Sequence, residues 1–206
     1  MYNEDMGEKK RVPLWVAAVS RLFDPVVEIP LALALAVWFS LTHGLRWRFL
    51  VLLLYIDSFL PFIFFLHLLH KGEISDWDVR NRRERIPLYL FTVIVHLAGV
   101  GLAWLIGRKE LVVILLAFYI VAVVFMVVTY FWKISLHAGV NALLVTFINV
   151  LLGWQYWWLY GVVVLVSWAR VKGGFHRPAQ VVWGAVLATG LFLAGFYGLR
   201  KLMLGY

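Results

Sequence analysis

The sequence predicts an all-α protein of the membrane: a polytopic helix bundle of six or seven transmembrane helices with a short interfacial helix at its N-terminal end. Composition is the first reason. Of 206 residues, 64% are hydrophobic and only 15% are charged, whereas a soluble domain carries roughly 45–50% apolar and about 25% charged residues. Grouping is the second reason, because several unbroken apolar runs are long enough to cross about 30 Å of hydrocarbon at about 1.5 Å per residue. No repeat, linker or low-complexity tract interrupts the chain, so residues 1–206 read as a single membrane-embedded domain. With no cysteine in the chain, disulfides, thiolate nucleophiles and thiolate-bound metals are excluded.

Taken in order, Met1–Arg11 is hydrophilic and lacks an apolar core followed by a small-residue cleavage site, so no removable signal peptide is expected. Val12 to Phe23 places apolar residues on one side and Arg21 on the other, the pattern of a short helix lying in the interface. Pro25 opens a run to about Leu41, with Glu28 near enough to its end to reach headgroups. The run from about Phe49 to Leu69 carries Asp57 at a costly depth. With no second acid in another span, a buried hydrogen bond is its expected role rather than ion transport. Leu88 to Gly107 and Leu111 to Trp132 flank the short Arg108-Lys109-Glu110 turn and form a helical hairpin. Ala138 to Leu152, Tyr156 to Ala169 and Val181 to Leu199 complete seven spans. Trp154, Tyr156, Trp157, Trp158 and Tyr160 read as an interfacial aromatic belt. His43, His67, His70 and His96 read as structural or interfacial.

Three polar stretches separate the runs. Lys71 to Pro87 is the longest and is dense in arginine; Lys133-Ile134-Ser135-Leu136-His137 precedes the fifth span; Ala169 to Gln180 precedes the last. Two crossings lie between the first and second stretches and two more between the second and third, so all three emerge on one membrane face, opposite the aromatic belt. In the last stretch Arg170, Lys172 and Arg177 favour an anion, and Gly173-Gly174 admits close backbone approach. Pro178 fits the first turn of a helix, which sets His176 beside N–H groups and a macrodipole that also favour an anion. Arginines, two histidines, a serine and a lysine from three loops can therefore surround one anion.

These stretches resemble the type 2 phosphatidic acid phosphatase superfamily of integral membrane lipid phosphatases. That family's pattern is a Lys with Arg-Pro seven residues on, then Pro-Ser-Gly-His, then Ser-Arg, five residues, His, three residues, Asp. Ile134-Ser135-Leu136-His137 stands in the second motif, and Ala169-Arg170, five residues, His176, three residues, Gln180 keeps every spacing of the third. Arg85-Ile86-Pro87 looks like the Arg of the first motif with one residue inserted before Pro, and the resemblance runs from about Glu73 to Gly184. Several positions depart from the pattern. Counting back seven from Arg85 gives Asp78, so Arg80, Arg82, Arg83 or Lys133 replaces the lysine or it is missing. Leu136 replaces Gly, which keeps the backbone N–H but narrows its conformations. Gln180 replaces the acid behind the histidine; an amide oxygen can fix the ring tautomer but adds no negative charge.

The resemblance implies a divergent member that hydrolyses a lipid or isoprenoid phosphate, mono- or diphosphate, through a phosphohistidine. His176 would attack phosphorus, His137 would protonate the leaving alkoxide and then activate water, and Gln180 would orient His176. Arg85, Arg170, Ser135, Leu136, Arg82 and Lys133 would hold the phosphoryl oxygens, while Ser135 reads equally as a helix cap and Arg80, Arg82 and Arg83 read also as solvated or headgroup-facing charges. No metal, no other cofactor and no nucleic-acid partner is expected. Membrane prenyltransferases carry an Asp/Arg loop like Asp76 to Arg85 but need a second acidic loop for Mg²⁺, which this sequence does not offer. The alternative is a membrane protein that keeps the site as a phospholipid-headgroup binder, favoured by the changed Lys, Gly and Asp positions. Lys9, Lys10, Arg11, Arg21 and the cations of the three stretches outnumber Arg46, Arg48, Arg108, Lys109, Arg200 and Lys201 on the other face. The positive-inside rule therefore puts the site on the cytoplasmic side of the cell membrane.

Overall fold

Five helical segments are long and apolar enough to cross a membrane: Leu14–Ser40, His43–His70, Arg82–Leu105, Lys109–Phe131 and Pro178–Leu204. They belong to a computed structural model that describes residues 12–205; Met1–Arg11, on which the signal-peptide reading and part of the charge count fall, lies outside the described residues. The described residues contain no strand and form α1 (Leu14–Leu22), α2 (Pro25–Ser40), α3 (His43–Leu54), α4 (Leu60–His70), α5 (Arg85–Leu105), α6 (Lys109–Phe131), α7 (Leu136–Leu152), α8 (Tyr160–Lys172) and α9 (Pro178–Leu204). The expected all-α membrane bundle is what the chain adopts.

Local chemistry sets the breaks. Between α1 and α2, Asp24 accepts the Val26 N–H at 3.0 Å and Pro25 takes the first helical position, so a new helix starts there. A π-helical turn, Tyr55–Phe59, joins α3 to α4 just before Pro61, which has no N–H to give the preceding turn. The core lies among α2, α3, α5, α6, α7 and α9, with Phe118, Phe147 and Phe192 meeting at centroid distances of 5.2, 5.6 and 5.7 Å. Edge-on and tilted ring contacts of this kind fill the bundle centre without stacking like charge on like.

Three expectations need correcting. Of the seven spans foreseen, α7 has only 17 residues and α8 only 13, because residues 153–159 form turns and a short 3-10 segment instead of extending α8 backwards. At about 1.5 Å per residue α8 covers about 20 Å, less than the hydrocarbon thickness. Tyr160 is not part of an outward belt: its hydroxyl pairs with Thr146 Oγ1 at 2.7 Å, while Trp154, Tyr156, Trp157 and Trp158 are exposed. Glu28 is buried rather than turned to headgroups. The short N-terminal helix α1 is present as foreseen; it packs one side against α8, burying Val16 on Ala169 and Phe175, and leaves Leu14 and Leu22 exposed. Asp57 does make the buried hydrogen bond foreseen for it. Its Oδ1 meets His96 Nδ1 at 3.0 Å, and His96 Nε2 donates to the Leu115 carbonyl at 3.0 Å, tying the π turn, α5 and α6 together.

Candidate functional site

The three polar stretches do converge. Arg85 Nη1 donates to the Ile134 carbonyl at 3.0 Å, the Ser135 N–H to the Gln180 carbonyl at 3.2 Å, Lys133 Nζ to the Phe175 carbonyl at 3.0 Å, and Arg170 Nη1 to Asp78 Oδ1 at 2.9 Å. Helix ends supply the framework, since α5, α7 and α9 begin and α8 ends here. The end of α8 explains the glycine pair. The Phe175 N–H reaches back to the Arg170 carbonyl at 3.0 Å and the Gly174 N–H to the Val171 carbonyl at 3.0 Å, with Gly174 at φ +71°. This is a Schellman closure, and the left-handed residue in it favours glycine. Gly173 is held by packing: a Cβ there would lie 2.4 Å from the Phe175 ring. The pair therefore terminates a helix and seats Phe175, instead of offering the close anion approach expected from sequence.

His176 is fixed from one side and open on the other. Gln180 Oε1 accepts both the Arg177 backbone N–H at 3.0 Å and the His176 Nδ1–H at 3.1 Å. An amide oxygen can only accept, so Nδ1 carries the hydrogen and Nε2 keeps its lone pair. Burial, and then the charges of Arg85, Arg170 and Lys133, push the His176 pKa from 6.5 down to about 3, so the ring is neutral at physiological pH. The four-residue spacing between His176 and Gln180 works because α9 begins at Pro178 with Arg177 as its cap.

The expected phosphate ligands divide. Arg170 is 1% exposed; its guanidinium lies 4.0 Å over the Phe175 ring, and its Nε is buried with no hydrogen-bond partner. Arg85 spends one donor each on the carbonyls of Val79 (2.7 Å), Ile134 (3.0 Å) and Asp78 (3.5 Å), leaving two of a guanidinium's five N–H groups for another acceptor. Val79, the first of these acceptors, has φ +44°, a strained conformation for a β-branched residue, and its own N–H is bonded to the Asp76 carbonyl at 3.0 Å. Lys133 is half-buried, and its pKa is lowered by burial and by Arg85, Arg170 and Arg80, which puts it electrostatically in the cluster.

Two of the ligand candidates take the other kind of role foreseen for them or a new one. Arg82 points away, donating from Nη1 to the Tyr130 carbonyl at 2.6 Å, where the C-terminal carbonyls of α6 attract a cation. Ser135 is fully buried and acts as the cap of α7, its Oγ accepting the Ala138 N–H at 3.4 Å. Leu136 lines the neighbouring cavity.

That cavity has a volume of about 290 Å³ and runs between α2, α4, α5, α6 and α7. Asp24, Asp78, Arg85, His137 and His176 line its polar part, and apolar side chains such as Leu33, Val93, Phe118 and Leu143 line the rest, as far as Asp57 and His96. His137 Nε2 lies 3.6 Å from Asp24 Oδ2. Asp24, Asp78 and Phe175 are the site residues that sequence reasoning missed. Asp78 appeared there only as the wrong residue in the lysine position, and Asp24 as an unremarked residue before a proline. Among the described residues no three His, Cys, Asp or Glu side chains cluster so as to hold a metal ion.

The arrangement combines a neutral imidazole with a free lone pair, three cations around it, a second imidazole lining the same space, and an apolar chamber beyond. No family model, no curated protein and no solved structure matches this chain.

Proposed function

We propose that the chain is a membrane phosphatase acting on a lipid or isoprenoid phosphate, a divergent relative of the type 2 phosphatidic acid phosphatases, with its site on the cytoplasmic face of the cell membrane. The observation that carries this reading is His176: neutral, anchored at Nδ1 by Gln180, open at Nε2, and set among Arg85, Arg170 and Lys133 at an apolar cavity. In the reaction, the Nε2 lone pair forms a bond to phosphorus while the bond from phosphorus to the ester oxygen breaks. His137 gives its proton to the departing alkoxide. It then takes a proton from water, whose oxygen attacks phosphorus as the P–N bond breaks, releasing phosphate and restoring both histidines. The arginines and Lys133 offset the charge on the phosphoryl oxygens, and the apolar chamber takes part of the hydrocarbon chain.

The test is phosphate release from phosphatidic acid and from isoprenyl mono- and diphosphates in detergent micelles, with and without EDTA and vanadate. Turnover that survives EDTA, stops with vanadate and falls about a thousandfold or more in His176→Ala is the expected result. Turnover that requires Mg²⁺ and ignores vanadate would sink the phosphohistidine reading. A second reading, a headgroup binder without turnover, draws support from Asp78 occupying Arg170 and from the neutral amide of Gln180. Lipid phosphate binding to the wild type with no release of phosphate would favour it.

A further inference from the structure

We infer that Asp24, a residue outside every motif of the resemblance, is the positioning residue of His137 and sets the pH range over which that imidazole holds its proton. The catalytic meaning of this rests on the phosphatase reading, but the ionic coupling does not.

Three observations place Asp24 in this role. His137 Nε2 is buried, has no hydrogen-bond partner and faces Asp24 Oδ2 at 3.6 Å. That separation lies beyond hydrogen-bond length yet well within the range in which an opposite charge favours protonation. Burial, with Arg170, holds the His137 pKa below its usual value, and the carboxylate offsets part of that loss without capturing the N–H, which stays available to a ligand oxygen. Both residues line the cavity that His176 also lines, so such an oxygen has space to sit there.

The register between the two residues is fixed at both ends. Asp24 Oδ1 is held by capping α2 through the Val26 N–H at 3.0 Å. Asn141, one turn along α7 from His137, donates from Nδ2 to the His137 carbonyl at 2.9 Å and to the Phe23 carbonyl at 3.1 Å. One amide therefore ties the residue before Asp24 to the residue that carries the imidazole. The other charges facing His137 come from Asp78 in the loop after α4 and Arg170 on α8, with Arg85 on α5 and His176 lining the same cavity and Arg21 on α1 reaching Asp24 at 3.5 Å. Asp78 and Arg170 pair with each other at 2.9 Å, and the Arg21 side chain is half exposed to solvent, so Asp24 is the carboxylate left to act on His137.

Asp24→Asn is the informative variant, because Asn caps a helix as well as Asp does and removes only the charge. With His137 as the general acid, kcat/KM falls above the pH at which it loses its proton, and Asp24→Asn moves that alkaline limb at least about one pH unit toward acid. Asp24→Glu, which keeps the charge, restores part of the shift. A purely structural role for Asp24 would lower the rate at every pH and leave the limb in place. The second measurement needs no turnover: ¹⁵N-imidazole NMR of the full chain in detergent, with the His137 resonance assigned by its loss in His137→Gln. Its titration falls by about one pH unit or more in Asp24→Asn. A titration that does not move overturns the inference, whatever the turnover. A shifted titration in a protein that releases no phosphate overturns the phosphatase reading and leaves the coupling standing.

Discussion

Gln180 gives His176 orientation without charge, and the ring's neutrality has a consequence for stability. In the folded protein burial and three cations hold the His176 pKa at about 3, against 6.5 in an open chain. Between those two values the unfolded chain binds the proton and the folded one does not, so stability rises with pH there and is fully present above about 6.5. Acidification from about 6.5 toward 3 therefore destabilises the fold. Thermal unfolding in detergent across this range should show a steeper loss for the wild type than for His176→Gln, which removes the titrating group. Equal slopes would mean that the folded ring protonates as readily as the unfolded one and is not held among the cations as described.

Where α7 and α9 meet, the site depends on a missing side chain. A Cβ at Gly184 would lie 2.8 Å from the Ser135 carbonyl oxygen, which is itself bonded to the Gly139 N–H at 3.1 Å. The obstacle is backbone, so α9 has to move rather than a rotamer. Gly184→Ala is expected to cost about 1–3 kcal/mol, as overpacked cores do, and to lower turnover because α9 carries Gln180 and begins just after His176. Gly190→Ala on the same helix meets nothing within 4 Å. It should be neutral or stabilising by up to about 1 kcal/mol from helix propensity. Melting temperatures of the two variants, measured side by side, check this; the same loss in both would mean that the contact with Ser135 is not what limits the fold.

The molecule as a whole presents an apolar flank, with Leu90, Ile94, Leu97 and Trp104 exposed along α5, and gathers its polar stretches at one end. With no native cysteine, single cysteines at exposed Glu73, on the site loop, and exposed Glu110, in the first turn of α6, report orientation cleanly. A cytoplasmic site predicts labelling of Glu110→Cys but not Glu73→Cys by an impermeant maleimide added to intact cells, and the reverse pattern inverts the topology. The bundle itself was legible in composition and run length, because a bilayer leaves backbone polar groups no partner outside helices or closed barrels. The pairing of His176 with Gln180 was legible too, since residues four apart share a helix face whatever surrounds them. Short-range rules stop there. Arg82 and Arg85 lie on the same loop-to-helix junction, yet one caps α6 and the other lines the cavity, because main-chain carbonyls look alike in every sequence and only packing decides which arginine each one captures. Asp24 became a neighbour of His137 for the same reason, whereas the Ser135 cap is a contact within one turn and was legible. A charge acts over a few ångströms of space, and nothing in the order of residues says that the start of α2 will lie against the start of α7.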